Sequence, residues 1–134
     1  MKDILTQGLA QLDITPPPEA IDQLCRYAQL LVEQNKVMNL TAITDPEGIA
    51  RLHFLDSAAL LPLCGGAGGK SLIDVGTGAG FPGLVLKILC PELKLTLLDS
   101  LGKRVNWLSQ VARELDLKDV TCLHARAEEQ ALVK

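Results

Sequence analysis

Apolar residues recur at intervals of three and four positions through much of residues 1–68, the spacing of helices that bury one face. Helices are predicted over residues 4–12 and 19–34, the second beginning just after three consecutive prolines. Another is predicted to begin at Asp45-Pro46, with Asp45 as its cap, and to continue over residues 49–61, ending before Pro62. The pattern therefore predicts an N-terminal helical region.

Beyond residue 68 the pattern changes to short, almost continuously apolar runs. Residues 71–75, 93–98 and 120–123 have the length and composition of buried strands. Helical segments separate them, and Ser100 is predicted to cap the second. Apolar strands that alternate with helices are typical of a parallel sheet covered on both faces. Residues 69–134 are therefore predicted to be the first half of an α/β, Rossmann-like domain with three parallel strands.

Composition excludes several classes of protein. Of the 134 residues 48% are hydrophobic and 22% are charged, as in globular proteins. No apolar run approaches the roughly 18 residues of a membrane span, and the first residues lack the layout of a secretory signal. We therefore expect a cytoplasmic protein with no membrane partner. The four cysteines form no C-x-x-C pair, so we expect free thiols and no metal site.

The candidate chemistry lies directly after the first predicted strand, in Asp74-Val75-Gly76-Thr77-Gly78-Ala79-Gly80. Glycines are needed where a tight turn requires positive φ and where a ligand approaches the backbone closely. The next helix is predicted to begin near Pro82 and to direct backbone N–H groups toward the loop. Three classes of ligand use such loops.

Two of these classes fit poorly. A phosphate-binding P-loop is disfavoured because Gly69-Lys70-Ser71 precedes a strand, whereas the Lys-Ser pair of that motif opens a helix. A dinucleotide is suggested by Gly78-Ala79-Gly80-Phe81-Pro82-Gly83, which matches G-x-G-x-x-G, with an acid about 20 residues further on. However, Asp74 interrupts the apolar strand, and an anionic pyrophosphate gains little from a carboxylate there. An NAD-dependent oxidoreductase therefore stays as an alternative.

S-adenosylmethionine (SAM), the third class, explains both the glycine series and the carboxylate. It has no phosphate but carries a sulfonium and an ammonium, which Asp74 would stabilise electrostatically. Asp99, at the end of the second predicted strand, is placed to accept hydrogen bonds from the ribose hydroxyls. The structural alternatives are that Asp74 is a turn or helix-cap partner and that Asp99 supports the next helix cap. We predict SAM as the cofactor.

Several segments resemble one known family. They are DVGTGAGFPGLVL at residues 74–86, LLDSLGKRVNWL at 97–108 and ARAEE at 125–129. In the helical region, residues 39–41 and 53–57 resemble the family's N-L-T and H-x-x-D-S signatures. The family is RsmG, also called GidB, the bacterial 16S rRNA guanine-N(7) methyltransferases. The resemblance spans essentially the whole chain and implies a SAM-dependent enzyme that methylates a guanine of the small ribosomal subunit.

Carried over by position, the resemblance implies contacts with SAM at Phe81, at glycines of the loop and at the backbone of residues 127 and 128. Together with the two acids, the predicted cofactor site is Asp74, Gly76, Gly78, Gly80, Phe81, Asp99, Ala127 and Glu128. Asn39 and His53 are implied to line the pocket near the methyl group or the target base. The alternative for His53 is a hydrogen-bonded histidine that anchors the helical region.

The RNA surface is less well marked. A net charge of −3 and a pI of 5.3 disfavour an extended nucleic-acid surface, because phosphate binding requires a basic face. Where many relatives have a basic residue before the histidine, this chain has Leu52, with Arg51 one place earlier. The RNA is therefore expected to contact either a local basic patch or the later part of the family's chain, which this sequence does not include. The candidates are Arg51, Lys70, Lys103, Arg104 and Arg126.

The chain also stops before the family's later strands. The first strand would then be an edge open to pairing with a second copy of the chain. We therefore expect a fragment that binds SAM poorly, is inactive alone and can self-associate. A non-catalytic RNA-binding or assembly module that has kept the fold is a further alternative.

Overall fold

The computed structural model of the protein describes residues 1–64 and 71–125. The predicted order, a helical region followed by alternating strands and helices, is confirmed. In chain order the elements are α1 (Lys2–Gln11), α2 (Ala20–Asn35), α3 (Pro46–Gly48), a π-helix (Ile49–Leu55), α4 (Asp56–Ala58), a 3₁₀ helix (Leu61–Cys64), β1 (Ser71–Val75), α5 (Gly83–Leu89), β2 (Lys94–Asp99), α6 (Gly102–Glu114) and β3 (Val120–His124).

The beginnings of the helical region follow the sequence closely. Helices α1 and α2 begin and end within two residues of the predicted positions. The predicted cap of α3 is confirmed, because Asp45 Oδ2 accepts a hydrogen bond from Gly48 N at 2.8 Å. Local chemistry, namely apolar spacing and a capping carboxylate, is sufficient to place these elements.

The prediction of one continuous helix over residues 49–61 is wrong. A π-helix occupies Ile49–Leu55, α-helical structure ends at Ala58, and the 3₁₀ helix at Leu61–Cys64 contains Pro62. Proline lacks an N–H, and the first turn of a helix is where a missing donor is tolerated. Pro62 therefore lies inside a new turn instead of following a helix.

The three strands form a parallel sheet in the order β1-β2-β3. Asp74 of β1 lies opposite Leu97 of β2, which lies opposite Cys122 of β3. Parallel register places the carboxyl ends of all three strands at one end of the sheet, the end from which α/β proteins bind ligands. Within the described residues β1 is an edge strand, as predicted.

The prediction that both faces of the sheet are covered is wrong for the part of the chain that the structure describes. One face packs into the hydrophobic core through residues such as Leu95 and Leu97. On the other face Ile73 is 61% exposed and Val75 is 52% exposed. Every second residue of β1 thus faces away from the core, because helices α5 and α6 pack on the same side of the sheet.

Helical region and sheet share one hydrophobic core. Tyr27 of α2 and Phe54 of the π-helix are fully buried in the same cluster as Leu84 of α5 and Leu108 of α6. The helical region therefore forms part of the surroundings of the loop that follows β1.

Ser100 does not cap α6, contrary to the prediction. The N-terminal cap is Leu101, which makes no side-chain cap hydrogen bond. Asp99 Oδ1 accepts a hydrogen bond from Leu101 N at 2.9 Å, so the carboxylate at the end of β2 serves the start of the helix. A carboxylate accepts such a bond more strongly than a hydroxyl.

Two further features concern the described residues as a set. No helix among them combines the length and the apolar character that crossing a membrane requires. They contain no group of three or more side chains able to hold a metal ion together. Cys25 and Cys122 are free thiols, as predicted.

Lys87 provides a test of how the α5–β2 turn is stabilised. Its side chain is 1% exposed, and Nζ donates to Pro91 O and Leu93 O at 2.6 Å each. Because the carbonyls of Pro91 and of buried Leu93 lose their donor, Lys87→Met should lower the free energy of unfolding by about 1–3 kcal/mol in urea denaturation. Lys118→Met, at an exposed position, should change it little. Equal stability of the two variants would show that relief of the buried charge offsets the lost hydrogen bonds.

Candidate functional site

The loop between β1 and α5 lies at the carboxyl end of the sheet and contains the predicted glycine series. Gly76, Gly78 and Gly80 have positive φ values of 67°, 58° and 98°. A Cβ atom built on Gly76 or Gly78 meets nothing within 4 Å, so the space beside them is open. One built on Gly80 would lie 2.5 Å from Tyr27 Oη and 2.7 Å from Leu84 Cδ1. Close packing beneath the loop therefore requires glycine at position 80.

Asp74 binds the loop from its first strand. Its Oδ2 accepts hydrogen bonds from Thr77 Oγ1 at 2.9 Å and from Gly83 N, the first residue of α5, at 3.0 Å. Burial raises the pKa of the Asp74 carboxyl, the bonds from Gly83 and Thr77 lower it, and the charge of Asp99 raises it further. These are the contacts of a turn and helix-start partner, and contact between Asp74 and a cofactor stays a prediction.

Asp99 binds the loop from the second strand. It is 3% exposed, and its Oδ2 accepts a hydrogen bond from Gly78 N at 2.9 Å. Its Oδ1 accepts from Leu101 N at 2.9 Å and from Arg104 Nε at 3.0 Å. A carboxylate offers about four acceptor positions, so these three bonds leave room for another donor. A ligand could also replace Arg104 as a hydrogen-bond donor to Asp99, because the Arg104 side chain is 30% exposed.

The predicted substrate residue His53 and the predicted cofactor residue Phe81 are in contact. Their rings stack with centroids 4.5 Å apart and planes 14° apart. His53 Nε2 is hydrogen-bonded to Thr41 Oγ1 at 2.7 Å, and Thr41 Oγ1 accepts a hydrogen bond from Ile43 N at 3.1 Å. Burial lowers the pKa of His53, and the charge of Asp56 opposes this effect. The neutral imidazole is therefore favoured, held between a hydroxyl and an aromatic ring.

Asn39 is exposed and lies two residues before Thr41. The segment is held by Asn35 Oδ1, which accepts from Leu40 N at 2.7 Å and from Thr41 N at 3.0 Å. Asn39 is thus near the His53 contact along the chain, and its role in the pocket stays a prediction. Several predicted residues lie outside the described part of the chain. They are Lys70, Arg126, Ala127 and Glu128.

Some residues at the site were not singled out from the sequence. Tyr27 donates from its hydroxyl to Ala79 O, within the loop. The sequence did contain an indication of this contact. Tyr27 stands among the apolar residues of α2, and a buried tyrosine hydroxyl requires a hydrogen-bond partner. Arg104, one of the predicted phosphate contacts, forms an ion pair with Asp99, and its contact with phosphate stays a prediction. Thr77 lies in the glycine loop and Thr41 in the N-L-T segment, but the residues to which their hydroxyls are hydrogen-bonded follow only from the fold.

The arrangement suits binding and orientation. Two carboxylates hold the backbone of a loop whose open side lies beside glycines, so a cationic ligand is electrostatically favoured there. The His53–Phe81 pair offers a flat surface joining the loop to the helical region.

The pKa of His53 leads to a test of this geometry. The folded protein favours the neutral ring, so stability from this group is present above the unfolded pKa of about 6.5 and is lost as pH falls below it. We expect the free energy of unfolding to decrease more on acidification from about pH 7.5 to about pH 5.5 in the unsubstituted protein than in His53→Gln. Urea denaturation at each pH measures this. Parallel pH profiles would contradict the burial of a neutral ring.

Comparison with known proteins identifies the family of this chain. Residues 20–134 match the family described as GidB, rRNA small subunit methyltransferase G. A relative from Acetivibrio thermocellus named ribosomal RNA small subunit methyltransferase G is 46% identical over 98% of this chain and 54% of its own length. Proteins of the same name from Desulfitobacterium hafniense and Clostridium botulinum are each 50% identical, over 90% and 96% of this chain and 49% and 54% of their own lengths.

This chain therefore spans about half the length of the curated relatives it matches. The match nevertheless includes the glycine loop, both acids and the signatures of the helical region. The chain belongs to the GidB family, rRNA small subunit methyltransferase G.

Proposed function

We propose that this protein, at the full length of its relatives, binds SAM in the glycine loop and transfers its methyl group to N7 of a guanine in 16S rRNA. Family membership supports methyl transfer to small-subunit rRNA, which is what the names of the relatives state for those proteins. SAM, the guanine nitrogen and the roles of individual residues are inferred from the site. Action on ribosomal RNA agrees with the cytoplasmic location expected from the sequence.

The position of Asp74 carries the choice of cofactor. In dinucleotide-binding folds the pyrophosphate lies at the N-terminus of the helix after the glycine loop. Here the first N–H of α5, that of Gly83, already donates to Asp74 Oδ2, and Pro82 has no N–H to offer. A pyrophosphate would lose this donor and meet a like charge. The same carboxylate attracts a sulfonium or an ammonium group.

The residues present fit SAM. The space beside Gly76 and Gly78 is open, and a side chain at either position would occupy it. Asp99 retains acceptor capacity for a ribose hydroxyl next to this space. Both acids lie at the carboxyl ends of adjacent parallel strands, so one ligand can contact both.

Methylation of N7 requires orientation more than acid–base catalysis. When bound, SAM supplies a methyl group on positively charged sulfur, and guanine N7 has a free lone pair with no proton to remove. The protein then has to hold the two groups in line. We infer that the His53–Phe81 pair orients the guanine, since stacking on a flat surface fixes a base without requiring a charge. A neutral His53 has one donor and one acceptor nitrogen, so it can also form a hydrogen bond with the base edge.

A groove of about 420 Å³ beside the start of α6 is the place we propose for the RNA strand. Lys103, Asn106 and Gln110 of α6 line it together with Gln34 of α2. Its lining residues include no carboxylate, in a chain with 16 acidic and 13 basic residues. Lysine and amide side chains contact phosphates and base edges. The groove contains Lys103, one of the five basic residues predicted to contact RNA, and we propose it as part of that contact surface.

The cofactor is tested by titration calorimetry of the protein at the full length of its relatives against SAM and NAD⁺. We expect heat of binding with SAM only. Transfer of labelled methyl groups to small subunits that lack the modification, followed by nucleoside analysis, should give 7-methylguanosine. Binding of NAD⁺ in place of SAM would overturn the proposal. SAM binding without transfer would leave a non-catalytic RNA-binding module.

The role of Asp99 is tested by Asp99→Asn. The substitution removes the negative charge and replaces one of the two acceptor oxygens by an NH₂ donor, so Gly78 N, Arg104 and the ribose cannot all be bound as before. We expect SAM affinity to fall at least about tenfold, or about 1.4 kcal/mol. Calorimetry measures the change. Asp22→Asn is the matched control, because Asp22 is 74% exposed in a surface ion pair with Lys2, and it should leave affinity unchanged. Equal affinities would exclude Asp99 from the cofactor site.

A further inference from the structure

Tyr27 connects the helical region to the glycine loop. It lies in the middle of α2, its side chain is fully buried, and its hydroxyl donates to Ala79 O. Ala79 lies between Gly78 and Gly80, so this bond acts on the centre of the loop. Burial raises the pKa of Tyr27 well above its ordinary value, with the charge of Asp74 as a smaller cause. The hydroxyl therefore keeps its proton at neutral pH and is available as a donor.

The ring of Tyr27 also fills the space beneath the loop. A Cβ on Gly80 would lie 2.5 Å from Tyr27 Oη, so the hydroxyl leaves no room for a side chain at position 80. Ring centroids of Phe54 and Phe81 lie 5.3 Å and 5.6 Å away, and that of Trp107 lies 6.5 Å away. Tyr27 thus contacts the π-helix, the loop and α6 at once.

Three side chains bind the backbone around the loop, in addition to the hydrogen bonds that Gly76 N and Thr77 N donate to Leu98 O. Asp74 and Asp99 bind the N–H groups of Gly83 and Gly78 from β1 and β2. Tyr27 binds the carbonyl of Ala79 from α2. The peptide unit that carries this carbonyl also carries the N–H of Gly80, which donates to Thr77 O at 2.9 Å. Because both sides of this peptide plane are bound, it cannot rotate freely. The N–H groups and the open space of the loop are then presented in one arrangement.

We propose that Tyr27 is a positioning residue: its hydroxyl fixes the Ala79 peptide and thereby sets the geometry in which the loop receives SAM. The proposal rests on the proposed function for its ligand. Because Tyr27 packs against Phe54 and Phe81, and Phe81 stacks on His53, it also links the loop to the predicted substrate residue. A disturbed loop is therefore expected to change cofactor binding more than the chemical step.

Tyr27→Phe tests this, because it removes only the hydroxyl. With the full-length protein we expect Kd and KM for SAM to rise about tenfold, while kcat at saturating SAM changes less than about threefold. The matched control is Leu31→Ala, one helical turn further along the same face of α2 and also fully buried. It creates a cavity and lowers Tm at least as much, but it should leave Kd for SAM within about twofold.

A second readout needs no ligand. Gly80 N donates to Thr77 O at 2.9 Å, so the exchange rate of the Gly80 amide proton reports on the loop. Tyr27→Phe should accelerate this exchange at least about tenfold relative to other core amides, whereas Leu31→Ala should affect core amides together.

The outcomes separate the two proposals. If the unsubstituted protein does not bind SAM, the proposed function fails, and exchange at Gly80 still decides the role of Tyr27. If it binds SAM and Tyr27→Phe has the same affinity and the same exchange rate, the positioning role is wrong. If the two variants lose SAM affinity in proportion to their loss of Tm, Tyr27 contributes only to stability and the proposal is overturned.

Discussion

The glycine loop after β1 has its shape because two carboxylates from neighbouring parallel strands bind its backbone. Asp99 accepts from Gly78 N, and Asp74 accepts from Gly83 N. An unpaired buried N–H costs about 1–3 kcal/mol, so each bond restricts the loop to conformations that direct its N–H toward the acid. Parallel pairing makes this possible, since it brings the ends of β1 and β2 to the same end of the sheet. The loop, the start of α5 and the start of α6 all depend on these two side chains.

The same two acids determine which ligands the loop favours. Burial raises the pKa of Asp74, and the nearby charge of Asp99 raises it further. A bound cation would stabilise the charged form of both carboxylates, whereas a phosphate group would add to the repulsion. The helical region completes the surroundings of the loop. Tyr27 stacks on Phe54 within this region, and His53 stacks on Phe81 of the loop. The region that is predicted to meet the substrate and the loop that is predicted to hold the cofactor therefore share one packed core.

Much of the fold could be predicted because its signals are local. Apolar spacing located α1 and α2 within two residues, and the alternation of strands and helices gave the parallel sheet. Predictions failed where two local signals competed or where distant contacts decided. Asp99, one residue before Ser100, supplied the stronger acceptor for the start of α6. Pro62 entered a 3₁₀ turn, and exposed Ile73 shows that apolar composition does not say which face of a strand the described helices cover.

For the candidate site, the sequence by itself determined the positions of the glycines and of the two acids, because a turn with positive φ and a strand-end carboxylate are properties of short segments. Only the tertiary structure decided that Asp74 occupies the N–H of Gly83 and that Phe81 stacks on His53. It also decided that Tyr27 binds Ala79 at the centre of the loop, although the two residues are 52 positions apart along the chain. The physical reason is that spacing along a chain limits which residues share a helix face or a turn, whereas contact between elements depends on how their buried faces pack together.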